Sequence, residues 1–384
     1  MRNSLGLVLR RGTVSALTAL SVLSVSSALS VPPALSAEPA PTGEPVADEA
    51  EGIPFTQRFH AVQHGGIVRA ANSSISCRTT DDTPAKAATA CDAARAGRRG
   101  TEWAANHDFD MFYIDVDDDP NTYNSSRAEL KLPTGARVTY ARLYWGGNLL
   151  VGEQKPPRDS GRVLIAEPGG DYQEVLADTL VGHRVAHGAD AFQASADVTE
   201  LVRSSGPGLW TVAQVNVAMG RSAAGAWGGW TLVTAYEKAS EPLRQLALWD
   251  GFACFEPGLR DLSVGLDGAR IPAGASGRAG LVAYDGDRGT TGDSLTVSTG
   301  KGAATTLSDA RNPAYDLLNS TIGEPGDTPA ERRPAYANTL GYDSDVFSLD
   351  RALKAGGERL DLRLTVRRDA AWAGVLFVAA DTRR

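Results

Sequence analysis

Lysine is nearly missing from this chain: six of 384 residues, so arginine supplies almost all of the 38 basic side chains. The formal net charge is −8, and no basic run or arginine-rich patch occurs, which argues against nucleic acid as a partner. Histidine is also scarce, at five residues, and none of them opens a His-Glu-x-x-His zinc motif. No Gly-x-Ser-x-Gly elbow lies between a strand and a helix, and no phosphate loop ending in Gly-Lys-Ser/Thr is present. Beyond the N-terminal segment there is no second run of about eighteen apolar residues, so the remaining chain is not expected to span a membrane. Strong helical periodicity is absent too. With no catalytic residues to assemble, the sequence reads as non-enzymatic.

What is present begins with a targeting signal. Residues 1–11 carry Arg2, Arg10 and Arg11 and no acid, and "TVSALTALSVLSVSSALSV" follows as an apolar run. Small residues near Ser36 and Ala37 offer a cleavage site, so residues 1–37 read as a signal peptide and the protein as secreted, by the general or the twin-arginine route. Removing them takes away three arginines and no acid, which moves the formal charge from −8 to −11. Residues 38–54, rich in proline and acid, read as a disordered leader, with order expected near Phe55. Export permits a disulfide. Cys77 and Cys91 bracket a polar segment and are the natural pair, while Cys254, between aromatic residues, reads as a buried thiol.

From Phe55 onward the periodic segments read as strands. "AELKLP" and "LWTVAQVNVA" alternate, and "GGWTLVTAYE" is a continuous apolar run of the sandwich-core kind. With 41 Gly and 20 Pro punctuating short strands, the expected fold is all-β: two jelly-roll-like antiparallel β-sandwiches in tandem. They are assigned to residues 55–240 and 241–384, divided at the polar "EKASEPLRQ". A loose internal repeat supports the pair. Near Ala196 and again near Ser344, Asp-Val leads a Leu-containing segment, then a Gly turn, a strand, and a Trp (Trp227; Trp372) before a final apolar strand.

The order "DVTELVR…GLWTVAQV" resembles the jelly-roll accessory modules of carbohydrate-active enzymes. A wider resemblance runs through "YIDVDDDPNTYNSSRAELKLPTGARVTYARLYWGG", "GGWTLVTAYEKASEPLRQLALWDGF" and "NTLGYDSDVFSLD". These segments are similar to the uncharacterised N-terminal region of large secreted surface proteins of high-GC Gram-positive bacteria. In those proteins the region usually precedes immunoglobulin-like repeats. The resemblance implies an extracellular, wall-associated β-protein and brings no catalytic residues. This sequence departs from the pattern by stopping at Arg384, without repeats or an anchor.

Two features are candidates for binding. Asp115, Asp117, Asp119 and Asn121 fall at alternate positions, the spacing of the first half of a calcium loop. Pro120 and Ser126 stand where a helix-flanked calcium loop needs Gly and Glu, so calcium would need further carboxylates such as Glu129 or Asp285, Asp287 and Asp293. The other reading is a turn whose side chains cap their own backbone. Among the aromatics, Trp227 and Trp230 lie three residues apart, so in a strand they point to opposite faces, and one of them is the expected sugar platform. The pairs His60/His64 and His183/His187 have zinc-compatible spacing but read better as loop or capping residues. The function expected is a secreted binding module of the cell envelope for cell-wall or extracellular polysaccharide. The alternative is an assembly protein whose strand edges pair with other extracellular proteins.

Overall fold

The computed structural model describes residues 49–384 except 51, 80–82, 118, 179–180, 257–259, 327 and 384. The signal segment and the leader up to residue 48 lie outside the described residues. Order starts before Phe55. Glu49–Ala50 pairs in parallel with Val181–Gly182, and the strand Ile53–Ser73 begins at Ile53, so backbone pairing extends into the segment whose composition suggested disorder.

The fold is all-β, two jelly-roll-like antiparallel sandwiches in tandem. The first outer sheet has the spatial order Arg332–Arg333, Ser125–Leu130, Gly208–Ala213, Arg162–Ala166, Tyr172–Leu176. The second has the order Asp261–Ile271, Gly357–Thr365, Ser294–Ser298, Thr305–Thr306. Strict alternation builds these outer layers. Leu360, Leu362 and Leu364 are buried while the alternating Arg359 and Arg363 are exposed, as a pleat with one wet face requires.

The inner strands form one ten-stranded sheet, and the 21-residue strand Ile53–Ser73 joins its halves. Residues 53–64 pair with Leu243–Cys254, and residues 65–73 pair with Gly228–Glu237. The crossing is at Gly65, at φ +149°, where a Cβ would sit 1.9 Å from the Tyr236 carbonyl oxygen; only glycine fits. Beyond the crossing the two halves face each other. Tyr144 donates to Asp250 at 2.9 Å from one half to the other, and Gln193 donates to the Gly251 carbonyl at 2.8 Å.

Three cores result. One, with Trp145, Trp210 and Trp230, fills the first sandwich, and one, with Leu295, Leu362 and Leu376, fills the second. The third, with Tyr144, Trp227, Tyr284 and Trp372, lies between the facing inner halves, which is why their strands are apolar on both sides. The segment "EKASEPLRQ" accordingly connects two strands that pair with successive stretches of Ile53–Ser73, and the described residues form one compact unit. Residues 53–64 add a strand to the second inner half, and Arg332–Arg333 adds one to the first outer sheet.

The repeated segments occupy equivalent places. Ala189–Asp197, then the helix Thr199–Ser205, then Gly208–Ala213, then Gly228–Glu237 run inner, turn, outer, inner. Tyr342–Ser348, a turn, Gly357–Thr365 and Trp372–Asp381 do the same. The two tryptophans that the repeat equates, Trp227 and Trp372, meet in the shared core with ring centroids 5.0 Å apart.

The cysteines pair as expected: Cys77 and Cys91 form a disulfide, and Cys254 is buried. The helix Ala85–Arg95 starts inside the disulfide loop, where the sequence was read only as polar, and runs past Cys91. Its "AKAATACDAAR" is alanine-rich enough to favour a helix without a strong apolar stripe.

Candidate functional site

The aspartate loop is held by its own hydrogen bonds. Asp117 Oδ1 accepts the Asp119 N–H at 3.0 Å and the Thr122 hydroxyl at 3.2 Å, and its other oxygen accepts from Tyr172. Asp119 Oδ1 accepts the Asn121 N–H at 2.9 Å, and Asp115 accepts the Ser125 hydroxyl at 2.8 Å. Burial raises Asp115. It works against Asp117 as well, but the bonds from Tyr172 and the Asp119 N–H outweigh it and hold Asp117 low. Asn121 turns its carbonyl to Gln214.

Of the more distant carboxylates, Asp287 lies 3.9 Å from His107 with its Oδ1 lacking a hydrogen-bond partner, and the other three are engaged. Glu129 takes the Glu331 N–H at 3.0 Å, Asp285 takes Asn106 at 3.0 Å, and Asp293 takes the Leu318 N–H at 2.6 Å. Among the described residues, no three His, Cys, Asp or Glu side chains form a group that could hold a metal ion. Each histidine of the two spaced pairs has a protein partner: His60 meets Gln245, His64 the Glu241 carbonyl, His183 Asp190, and His187 the Phe255 carbonyl.

The tryptophan platform requires a correction. Trp227 and Trp230 do point to opposite faces, but both faces of this strand are covered, and both rings are 0% exposed. Trp230 fills the first core and donates its Nε1 to Ser126 at 2.8 Å; Trp227 packs on Trp372. Neither ring can meet a sugar. The exposed ring is Trp103, at 72%, while the other six tryptophans are at 4% or less. It precedes the described strands Met111–Tyr113 and Ser125–Leu130 in a turn-rich stretch without alternation, so no periodic pattern singled it out.

Trp103 stands on the wall of a cleft of 730 Å³. Its ring lies against Gly289, where a Cβ would meet the indole at 2.5 Å. The disulfide-bonded hairpin sets this wall. Cys91 ties the helix Ala85–Arg95 to the strand Ile75–Cys77, and Arg95 at the helix end reaches Ser76 at 3.2 Å. The Arg95 carbonyl accepts the N–H groups of Ala337 and Asn338, and its guanidinium stacks on Tyr336 at 4.9 Å. Asn338 in turn donates to the Ala104 carbonyl, next to Trp103.

Thr321, Ile322 and Glu324 line the cleft, and they belong to the segment that covers the edge strand Tyr342–Ser348. The Ser344 and Val346 N–H groups donate to the carbonyls of Thr321 and Gly323. Asp345 accepts the Gly323 N–H at 2.6 Å, and Asp343 accepts the Thr321 N–H at 3.1 Å. Burial pushes Asp345 up to about 7, with Arg69 opposing it, and raises Asp343 well above the usual range, with Asp345 adding to the effect. The cleft is also lined by four arginines, Arg69, Arg288, Arg311 and Arg332. Burial lowers Arg332 to about 10, with Arg69 and Arg311 adding to the shift. A concave site with an exposed aromatic ring and charged side chains can bind a polar ring compound. None of these arginines stands in a recognisable motif; the fold gathers Arg69 from the inner strand, Arg332 from the short strand Arg332–Arg333, and Arg288 and Arg311 from loops.

No protein-family profile and no curated protein matches this chain. Among solved structures it is similar to the major capsid protein P2 from bacteriophage PM2, at 13% identity over 69% of this chain and 95% of that one, with a TM-score of 0.18. It is similar also to the STIV MCP, at 10% identity over 66% and 91%, TM-score 0.18. A third is the atomic structure of Sulfolobus Turreted Icosahedral Virus, at 9% identity over 83% and 91%, TM-score 0.20. Superpositions this weak carry no argument about what the chain does.

Proposed function

We propose that this protein is a secreted, non-enzymatic binding module of the cell envelope whose ligand is a polysaccharide, bound in the cleft beside Trp103. One observation carries the reading: the one tryptophan with an exposed ring stands on the wall of a 730 Å³ cleft. An indole face presented to solvent is costly to leave bare and suits the apolar face of a sugar ring. Export, read from the N-terminal segment, places such a module where polysaccharide is available. The edge-pairing alternative is less favoured, because the inner-sheet edge Tyr342–Ser348 is already covered by Thr321–Gly323.

The test is co-sedimentation of the chain lacking residues 1–37 with purified cell wall and with insoluble polysaccharides, beside Trp103→Ala. Wild type is expected in the pellet, with Trp103→Ala weakened by at least about tenfold at unchanged thermal stability. A Trp103→Ala variant that pellets like wild type would move the site elsewhere. If nothing pellets while oligomers grow with concentration, the assembly reading takes its place.

A further inference from the structure

The cleft's charge narrows the class of ligand, a step that rests on the cleft being the binding site. Arg69 leaves the strand Ile53–Ser73 and is 4% exposed. Its Nη2 donates to the Gly323 carbonyl at 2.7 Å, and its buried Nε has no partner. Arg332 donates Nη2 to the Tyr336 carbonyl at 2.8 Å, and its buried Nη1 likewise has none. Arg288 is held by the carbonyls of Asn319 and Ala337. Arg311 is exposed on the same wall.

Carboxylates are near and offset part of this charge, but they accept hydrogen bonds from backbone N–H groups. Glu102 accepts the Gly100 N–H, Asp316 the Gly289 N–H, Glu324 the Ala330 N–H, and Asp345 the Gly323 N–H. Four guanidiniums thus share one cleft, three of them fixed there by backbone carbonyls, in a protein that is acidic overall. A buried N–H on a charged group left without an acceptor is unfavourable, and two of them here belong to neighbouring arginines. The planar guanidinium fork matches the paired oxygens of a carboxylate or a phosphate, so an anion in the cleft would pair with the guanidiniums that line it.

We infer that the cleft takes an anionic saccharide, its carboxylate or phosphate oxygens held by Arg69 and Arg332 while a sugar ring rests on Trp103. The net negative charge of the whole protein repels polyanions in general, so binding of one would report a local site.

The experiment is calorimetric titration of the chain lacking residues 1–37 with polygalacturonate, phosphomannan and neutral mannan, and separately with citrate and inorganic phosphate. Variants are Arg332→Gln and the exposed Arg311→Gln, with thermal unfolding as the control for folding. One acidic polymer is expected to bind at least about tenfold more tightly than neutral mannan, and both variants to weaken it. Preference for polygalacturonate assigns a carboxylate and preference for phosphomannan a phosphate; either supports the inference. Neutral mannan bound as well as the acidic polymers, with folded variants unaffected, would overturn the anionic class and leave the polysaccharide reading standing. Citrate or phosphate bound in an Arg332-dependent way, with no polymer bound, would support the anion site and remove the polysaccharide reading. Binding of none of these would overturn both.

Discussion

Trp227 and Trp103 invite opposite predictions. Trp227 is wedged against Trp372 and Tyr284 between the two inner halves, so Trp227→Ala should cost about 3–5 kcal/mol in urea unfolding. Trp103→Ala, at an exposed ring, should shift stability by less than about 0.5 kcal/mol and act on binding alone. The reverse pattern would contradict both placements. The opposite facing of Trp227 and Trp230 was legible from their spacing, but their burial was not. Alternation says which side a residue faces, and here each side of the strand meets another sheet. Trp103 was illegible because its exposure depends on a stapled hairpin and a loop almost two hundred residues further on. The aspartate loop gives a second test. With Asp117 already accepting from Asp119, Thr122 and Tyr172, adding calcium or a chelator should move the melting temperature by less than about 1 °C. A calcium-dependent rise of several degrees would restore the calcium reading. Asp117→Ala should destabilise by about 1–2 kcal/mol through the lost acceptor.

The disulfide hairpin links local structure to the cleft. Closing the 14-residue separation between Cys77 and Cys91 contributes about 3 kcal/mol in the chain-entropy model. It also fixes Arg95, whose carbonyl holds Ala337 and Asn338, and Asn338 holds the Trp103 arm. A Cys77→Ser/Cys91→Ser double variant should therefore lose stability and also weaken polysaccharide binding at temperatures where it remains folded. Retained affinity would separate the hairpin from the site. Strand positions were readable here because the outer strands alternate strongly and the inner ones run apolar. The helix Ala85–Arg95 was not, since alanine content is a weaker signal than an apolar stripe and the segment looked like any polar loop between cysteines. The repeat was readable as far as order: inner, turn, outer, inner. That its two tryptophans would meet was not, because their meeting follows from the turn of the sheet at Gly65.

At the scale of the whole molecule, the second sandwich and its loops bury acid. Burial pushes Asp293 to about 6, Asp345 to about 7 and Asp369 to about 8. An aspartate in the unfolded chain titrates near ~3.9. Between about pH 4 and pH 8 the folded protein therefore holds protons that the unfolded chain has lost, and stability must fall as pH rises. The contribution of these groups is full below about pH 4 and is lost as pH passes through their folded values. Asp117 and Glu153, held low, act in the opposite sense only in acid. The melting temperature should be at least about 3 °C lower at pH 8.5 than at pH 5.5. A flat or rising profile would contradict the burial of these carboxylates. The most direct measurement of the central claim uses the same whole molecule: acrylamide quenching of tryptophan fluorescence with and without saturating polysaccharide. Six of the seven tryptophans are buried, so the quenchable emission belongs to Trp103. The cleft reading predicts that bound polysaccharide protects that emission and that Trp103→Ala has little quenchable emission to protect. Unchanged quenching of wild type in the presence of a polysaccharide that pellets the protein would place the binding site away from Trp103.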